Sequence, residues 1–220
     1  MKDSWRAVAL ACLMAQCAHA ADLSFAPNPE SASTGDTFTL DIVGTDFPVT
    51  EGGGAEFSFD PNILEVKSVS VDGAVWEFFA SEGSIDNVNG RVEGITVATF
   101  NSPGADFTVA TIEFEARGAG VTDLVLSENS SNPWAGGGSL IGPTLLSGSV
   151  TVTPAIQRDG DLAPWDNPDG RIDAADVLIA QQLALGLRTP GLLQLAHGDM
   201  NADGIINTAD LLKIVQIALQ

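Results

Sequence analysis

Positive charge is what this chain has least of. Among 220 residues 9 are Lys or Arg against 29 Asp or Glu, giving a formal net charge of −20, and charged residues reach only 17% where about one quarter is usual. Neutralising phosphates needs a basic face, so nucleic acid is excluded as a partner, and an anionic membrane surface with it. No run approaches the roughly 18 apolar residues that a membrane span requires. Cysteine is confined to Cys12 and Cys17. Both lie in a segment, 1–20, that reads as a secretory leader: Lys2 and Arg6, an apolar run from Ala7 to Ala15, then Ala18-His19-Ala20 as a small-x-small cleavage site. The chain is therefore expected to be secreted and, beyond residue 20, to have neither disulfides nor a thiolate zinc site.

Catalytic signatures are missing too. There is no Gly-x-Ser-x-Gly, no phosphate loop and no His-Glu-x-x-His. His19 falls in the leader, and His197 reads as a surface or capping residue. Paired carboxylates could hydrolyse a glycoside, but those of the C-terminal part are better explained as ligands or caps, and the others fall in turns or on strand faces. No enzyme is expected. So strong an acidic excess fits either general solvation or the binding of hard cations, and position along the chain must decide.

From Ala21 to about Pro154 the hydropathy alternates with period two between Gly, Pro, Asn, Asp and Ser clusters, as in 37–43, 56–59, 63–66, 95–100, 108–114, 122–126 and 148–152. Eight or nine such runs without a helical period predict an antiparallel β-sandwich of jelly-roll type. After Pro154 the period becomes helical, with Val177, Leu178, Ala184 and Leu185, and again Leu211, Leu212, Val215, Ala218 and Leu219. Thr189-Pro190 predicts a cap and a short middle helix to about Ala196. The expected division is a sandwich over 21–153, a short linker over 154–157 and a small all-α unit over 158–220.

The α unit repeats itself. At an offset of 34, residues 167–185 align with 201–219 without a gap, and 10 of the 19 positions are identical. Each copy is a carboxylate-rich loop feeding a helix. In the second, Asp199, Asn201 and Asp203 fill positions 1, 3 and 5 of a loop that wraps an ion, and Gly204 permits the turn at position 6. The Ile205 carbonyl serves position 7, Asn207 position 9, and Asp210 closes the sphere at position 12 from the first helical turn. An Asp-Gly turn alone would not explain the spacing out to Asp210. In the first copy Asn167, Asp169, the Arg171 carbonyl, Asp173 and Asp176 fit positions 3, 5, 7, 9 and 12. Position 1 without a gap is Trp165, which cannot ligate. Asp161 serves if Leu162 to Trp165 is a four-residue insertion, with Asp166 as the local substitute. Two Ca²⁺ sites are expected, the second more completely formed, and Pro164 and Trp165 are expected to shield the ion or cover the neighbouring helix.

Neither loop follows a convincing helix, and position 12 is Asp rather than the Glu of ordinary EF-hands. The paired Gly-Asp-loop-helix arrangement over 157–220 resembles a type I dockerin domain. That resemblance implies a calcium-folded module with two EF-hand-like repeats that docks onto cohesin domains through residues inside each loop-helix junction. Here these are Ala174, Ala175, Gln181 and Gln182 in the first copy, and Thr208, Ala209, Val215 and Gln216 in the second. The family's Ser/Thr pair and basic residues are only partly present.

With that resemblance in view, Phe59-Asp60-Pro61-Asn62-Ile63-Leu64-Glu65-Val66, together with 23–25, 35–38 and 109–114, is similar to the strand sequence of cohesin domains. Cohesins present a flat sheet face to dockerins, and polar residues precede the Phe-Asp-Pro in cellulosomal members. Here that stretch is Gly52-Gly53-Gly54, leaving Glu56, Ser58 and the strands around Asp86 to Thr99 as the expected face. The resemblance implies a scaffold or adaptor whose partners carry cohesin or dockerin domains, with head-to-tail self-association as one arrangement and polysaccharide-degrading complexes as one setting. The alternative is a carbohydrate-binding sandwich carrying a dockerin, for which Trp76, Phe78, Phe79 and Trp134 are the candidate aromatics, two of them expected to fill the core.

Overall fold

The computed structural model describes residues 21–220. The expected leader over 1–20, with Cys12 and Cys17, lies outside the described residues. Alternating runs become strands β1 (Asp22–Ala26), β2 (Glu30–Ser33), β3 (Thr37–Thr45), β4 (Gly52–Ser58), β5 (Leu64–Ser70), β6 (Phe79–Asp86), β7 (Arg91–Ala98), β8 (Phe107–Ala116) and β9 (Gly120–Glu128). Four more follow: β10 (Ala135–Gly136), β11 (Ser139–Leu140), β12 (Thr144–Leu146) and β13 (Gly148–Thr153).

Two sheets face each other. One runs β12-β1-β3-β8-β5; the other runs β6-β7-β4-β9-β13-β2, with the β10–β11 hairpin joined to β4 at Gly52. Neighbours are antiparallel except at two places: β1 lies parallel to β12, and β2 parallel to β13. Near each end the chain switches sheets between paired elements, β1 to β2 and β12 to β13. Pro27 and Pro29 fall in the first of these breaks, where no ladder donor is needed.

Inward positions of both sheets supply one core. Alternation puts Leu40 and Ile42 of β3, Ile112 and Phe114 of β8, and Val92, Ile95 and Val97 of β7 out of solvent. At one end Trp134 packs against Phe47 (5.2 Å between centroids) and Phe107 (5.7 Å), and Trp76 lies 5.3 Å from Phe107 with its indole N–H on the Thr108 carbonyl at 3.0 Å. This cluster explains one glycine of the triple run: a Cβ on Gly53 would enter the Trp134 ring.

The C-terminal part forms α1 (Ala174–Ala184), α2 (Leu192–Gly198) and α3 (Thr208–Ala218). None is long and apolar enough to cross a membrane. Leu162, Ala163, Ile179, Ala180, Leu183, Ile206 and Ile214 make a second core that shares no member with the first. The expected cap for the middle helix is corrected. It starts at Leu192 behind Gly191, not behind Thr189, because the buried Gln194 side chain reaches back to the Gly191 N–H at 3.0 Å while its own amide is pinned to the Trp165 carbonyl at 2.7 Å. Between the two parts, the N–H groups of Gln157 and Arg158 both donate to the Ala196 carbonyl at the end of α2, at 3.0 and 2.8 Å.

Candidate metal centre

Both helices that follow the carboxylate loops begin with reciprocal caps. Asp173 accepts the Ala175 N–H at 2.7 Å and Asn207 accepts the Ala209 N–H at 2.7 Å. In return Asp176 accepts the Asp173 N–H at 2.8 Å and Asp210 the Asn207 N–H at 2.9 Å. The last residue of each expected ligand set is thus fixed by the helix start itself, and both Asp176 and Asp210 are buried. Their second oxygens draw the loop inward. Asp210 Oδ1 accepts the Asn201 N–H at 3.2 Å, whereas Asp176 Oδ1 accepts two amides, from Leu162 at 2.6 Å and Ala163 at 2.7 Å.

In the second loop, Asp199 Oδ1 accepts the Asp203 N–H at 3.1 Å and Oδ2 the Gly204 N–H at 2.9 Å. Asp203 accepts the Ile205 N–H at 3.1 Å and the side-chain amides of Asn201 and Asn207 at 2.9 and 3.0 Å. Oxygens of Asp199, Asp203 and Asp210 come within 4.8 Å of one another. Among the described residues this is the one group of three metal-ligating side chains so close together. Hydrogen bonds, chiefly from the Asn201 amide, hold the Asp203 carboxyl below its ordinary range, so it stays ionised. Three carboxylates at this separation repel one another unless a cation lies among them, and an all-oxygen donor set suits a hard one such as Ca²⁺.

The first loop repeats part of this scheme. Asp161 Oδ2 accepts the Gly170 N–H at 2.5 Å, the bond that Asp199 makes with Gly204, and Asp169 accepts the Arg171 N–H at 3.0 Å as Asp203 does that of Ile205. Asp161 is only 3% exposed, and its other oxygen, Oδ1, is buried without a partner. Burial pushes its carboxyl upward, with the neighbouring Asp176 adding to the effect. An orphaned buried carboxylate oxygen facing an acidic loop fits a cation. Asp166, by contrast, is exposed, as are Asn167, Asp169 and Asp173, and no three carboxylates converge here as they do in the second loop.

The insertion also sits differently from expectation. Leu162 stays in the core at 1% exposed and, with Ala163, is held by Asp176, so the extra residues leave the loop after Ala163 rather than at Leu162. Trp165 packs against the second core and lies under the Arg188 guanidinium, 4.3 Å from its ring. It covers the helices. His197 is corrected as well: it is buried, with Nδ1 2.8 Å from Asp159 Oδ1, because the backbone at Gly160 bonds to the His197 carbonyl at 2.9 Å and turns Asp159 toward the ring.

The expected docking positions Ala174, Ala175, Gln181, Thr208, Ala209 and Gln216 are exposed, while Gln182 and Val215 are half-buried. Ala174, Val177, Val215, Ala218 and Leu219 line one shallow groove of about 240 Å³, which brings the start of α1 to the end of α3. Sequence reasoning overlooked Leu178 and Leu212 as surface residues. They are exposed at 54% and 64% and related by the same offset of 34, which was the available signal. On the sandwich, Glu56 is half-buried and Ser58 exposed, on a strand paired with β7 and β9. Trp76 and Trp134 are buried, which removes two of the four aromatics available to a sugar-binding reading. Phe78 and Phe79 are exposed, as is Phe100, which sequence reasoning had placed within a strand.

Residues 166–217 match the family model described as the dockerin type I domain. No curated protein matches the chain. Among solved structures, the sandwich resembles a chain of a type I cohesin–dockerin complex from Clostridium thermocellum, at 12% identity and TM-score 0.52, covering 61% of this chain and 99% of that one. A non-cellulosomal cohesin from the archaeon Archaeoglobus fulgidus aligns at 14% identity and TM-score 0.50, over 61% of this chain and 91% of that one. The chain thus combines a cohesin-like fold with a C-terminal type I dockerin domain.

Proposed function

We propose that this protein is a secreted, non-catalytic adaptor with one protein-docking face on its β-sandwich and a second on a calcium-folded dockerin, the two joined through the linker at 154–157. The observation that carries the reading is the bond repeated from loop to loop, Asp161 to Gly170 and Asp199 to Gly204, inside a segment that matches the dockerin type I domain. Two Ca²⁺ ions would be held, one by Asp199, Asn201, Asp203, Asn207, Asp210 and the Ile205 carbonyl. The other would be held by Asp161, Asn167, Asp169, Asp173, Asp176 and the Arg171 carbonyl. Bound calcium supplies charge neutralisation and a cross-link from loop to helix.

The chain's own residues supply the rest. Asp176 and Asp210 tie each loop to the first turn of its helix. Ile206, buried at 7% exposed, packs the second loop onto the core that Ile214 and Ala180 share. The exposed faces of α1 and α3 are in this way presented in a fixed relation. Asp-to-loop geometry, not a reaction centre, is what the acidic residues build. Secretion into assemblies that degrade polysaccharide is the setting the cohesin and dockerin pairing suggests.

Calorimetric titration of the full chain with CaCl₂, alongside far-UV circular dichroism, tests the proposal. Two ions bound per chain with a gain of helix supports it. Helicity that is unchanged in excess chelator, or the absence of calcium uptake, overturns it.

A further inference from the structure

Each candidate calcium loop is entered through a triplet of the same kind, Asp159-Gly160-Asp161 in the first copy and His197-Gly198-Asp199 in the second. Asp159 and His197 are 38 positions apart, the repeat offset lengthened by the insertion, so they occupy corresponding places. In the fold these corresponding places meet. The Gly160 N–H donates to the His197 carbonyl at 2.9 Å, and His197 Nδ1 lies 2.8 Å from Asp159 Oδ1. A carboxylate only accepts, so the imidazole is the donor and carries its proton on Nδ1.

The same oxygen does a second thing. Asp159 Oδ1 also accepts the Asp161 N–H at 3.0 Å. One atom therefore holds the backbone of the first loop's position 1 and the ring that stands two residues before position 1 of the second loop. His197 is 7% exposed, so water competes little for its bond. The glycines of the triplets let the copies close on each other. A Cβ on Gly160 would lie 3.0 Å from Ile214 of α3, and one on Gly198 would lie 3.1 Å from Leu162 of the first copy.

Elsewhere the loops keep apart. Among the described residues no backbone hydrogen bond joins 165–173 to 199–207. The clasp at the loop entries is thus the polar connection between the two ligand sets. With Asp161 committed to a cation, the backbone of 159–161 is fixed, and the shared oxygen and the Gly160 amide fix 197–199 with it. Asp199 reaches into the second loop from that segment, accepting the Asp203 and Gly204 amides. Ordering the clasp once serves both loops, which is the condition for positive coupling between two sites.

We infer that His197 and Asp159 are a positioning pair that couples the two calcium sites, so that filling one loop tightens the other through this clasp. The inference rests on the calcium reading proposed above and assigns a role to two residues that are not themselves ligands.

The test is calorimetric titration of the full chain with CaCl₂, using Asp169→Ala to disable the first loop. The Asp169 side chain is exposed and bonds only within its own loop, to the Arg171 amide, away from the clasp. Asp169→Ala is expected to weaken calcium binding at the second loop by about tenfold. Made in a His197→Phe chain, which keeps a ring but loses the donor, the same change should cost less than about twofold. His197→Asn, which returns a donor near the position of Nδ1, should restore most of the tenfold difference. Where His197→Phe does not fold, Asp159→Ala breaks the clasp from its more exposed side and should likewise reduce the difference below twofold. A second measurement reads the connection directly: in Asp203→Ala, where only the first loop can fill, calcium should shift the Gly198 amide in NMR spectra, and His197→Phe or Asp159→Ala should remove most of that shift. Failure of the unsubstituted chain to take up two ions would count against the calcium reading itself. With two ions bound, an unchanged second site in Asp169→Ala would overturn the inference. So would a tenfold loss that persists in His197→Phe or Asp159→Ala.

Discussion

The Asp161 carboxylate accepts the Gly170 amide at 2.5 Å, across a stretch of chain four residues longer than the one that separates Asp199 from Gly204. An insertion of that length would normally pull the first ligand out of reach. It does not, because Asp176 grips the Leu162 and Ala163 amides and the excess bulges out after them. Asp161→Ala is therefore expected to abolish calcium uptake at the first loop, leaving one ion per chain by calorimetry, and Asp166→Ala to leave two. Two ions still bound to Asp161→Ala would return position 1 to Asp166.

Asp210 serves as cap and as cluster member at once. Asp210→Ala leaves the Asn201 and Asn207 amides without their acceptor, so in calcium it should lower the stability of the C-terminal module by about 2 kcal/mol beyond the loss of the second ion, the scale of a lost cap. Asp203→Ala, on an exposed side chain, should abolish the second site with a smaller added cost. Thermal melts of both variants in calcium separate the two roles.

Because the two cores share no residue, calcium should act on one of them only. Scanning calorimetry is expected to show two transitions in calcium, of which chelator removes the module's alone. At calcium about 100-fold above the dissociation constant, each site stabilises the module by about 2.7 kcal/mol. A shift of both transitions together would show that the two parts unfold as one.

Acid should act on the sandwich through Glu77. The Thr99 hydroxyl, with further backbone and Asn101 hydrogen bonds, lowers its carboxyl from 4.5 to about 2. A folded value below the unfolded one means a stabilising contribution fully present above about pH 4.5 and lost as pH falls toward 2. Thr99→Val should move the Glu77 titration, followed by carbon NMR of the carboxyl, back toward 4.5 and loosen the turn that carries Phe100. An unmoved titration would show that the backbone donors suffice.

Gly53→Val would drive a side chain into the Trp134 ring. The expected loss is about 1–3 kcal/mol from the sandwich, as in other overpacked cores, read as a lower denaturant midpoint with calcium binding intact.

The loops were legible in sequence because metal-ligand spacing is local: position 1 to position 12 spans one turn and one helix start, and each constraint falls on a particular residue type. The period-two runs likewise announced the strands that fill the core. What escaped was set by distant parts of the chain. β6 is exposed at six of its eight positions and forms by pairing with β7, so no buried face marks it in the hydropathy. Gly52-Gly53-Gly54 looked like the loss of a polar contact surface, whereas Trp134, eighty residues later, and the Val97 carbonyl require those glycines. His197 looked like a surface residue because its partner, Asp159, lies 38 positions away.

The parallel pairing of β2 with β13 bears on how the protein carries a mechanical load. The chain leaves the sandwich at Thr153, whose carbonyl accepts the Thr34 N–H at 2.8 Å and the Thr34 hydroxyl at 3.2 Å, and β13 is bonded along its length to β2 on one side and β9 on the other. A pull directed along the strand axis shears these bonds together instead of peeling them one after another. The module behind the linker has only short helices and loops to resist the same tension. Under stretching, the module is expected to extend before the sandwich does.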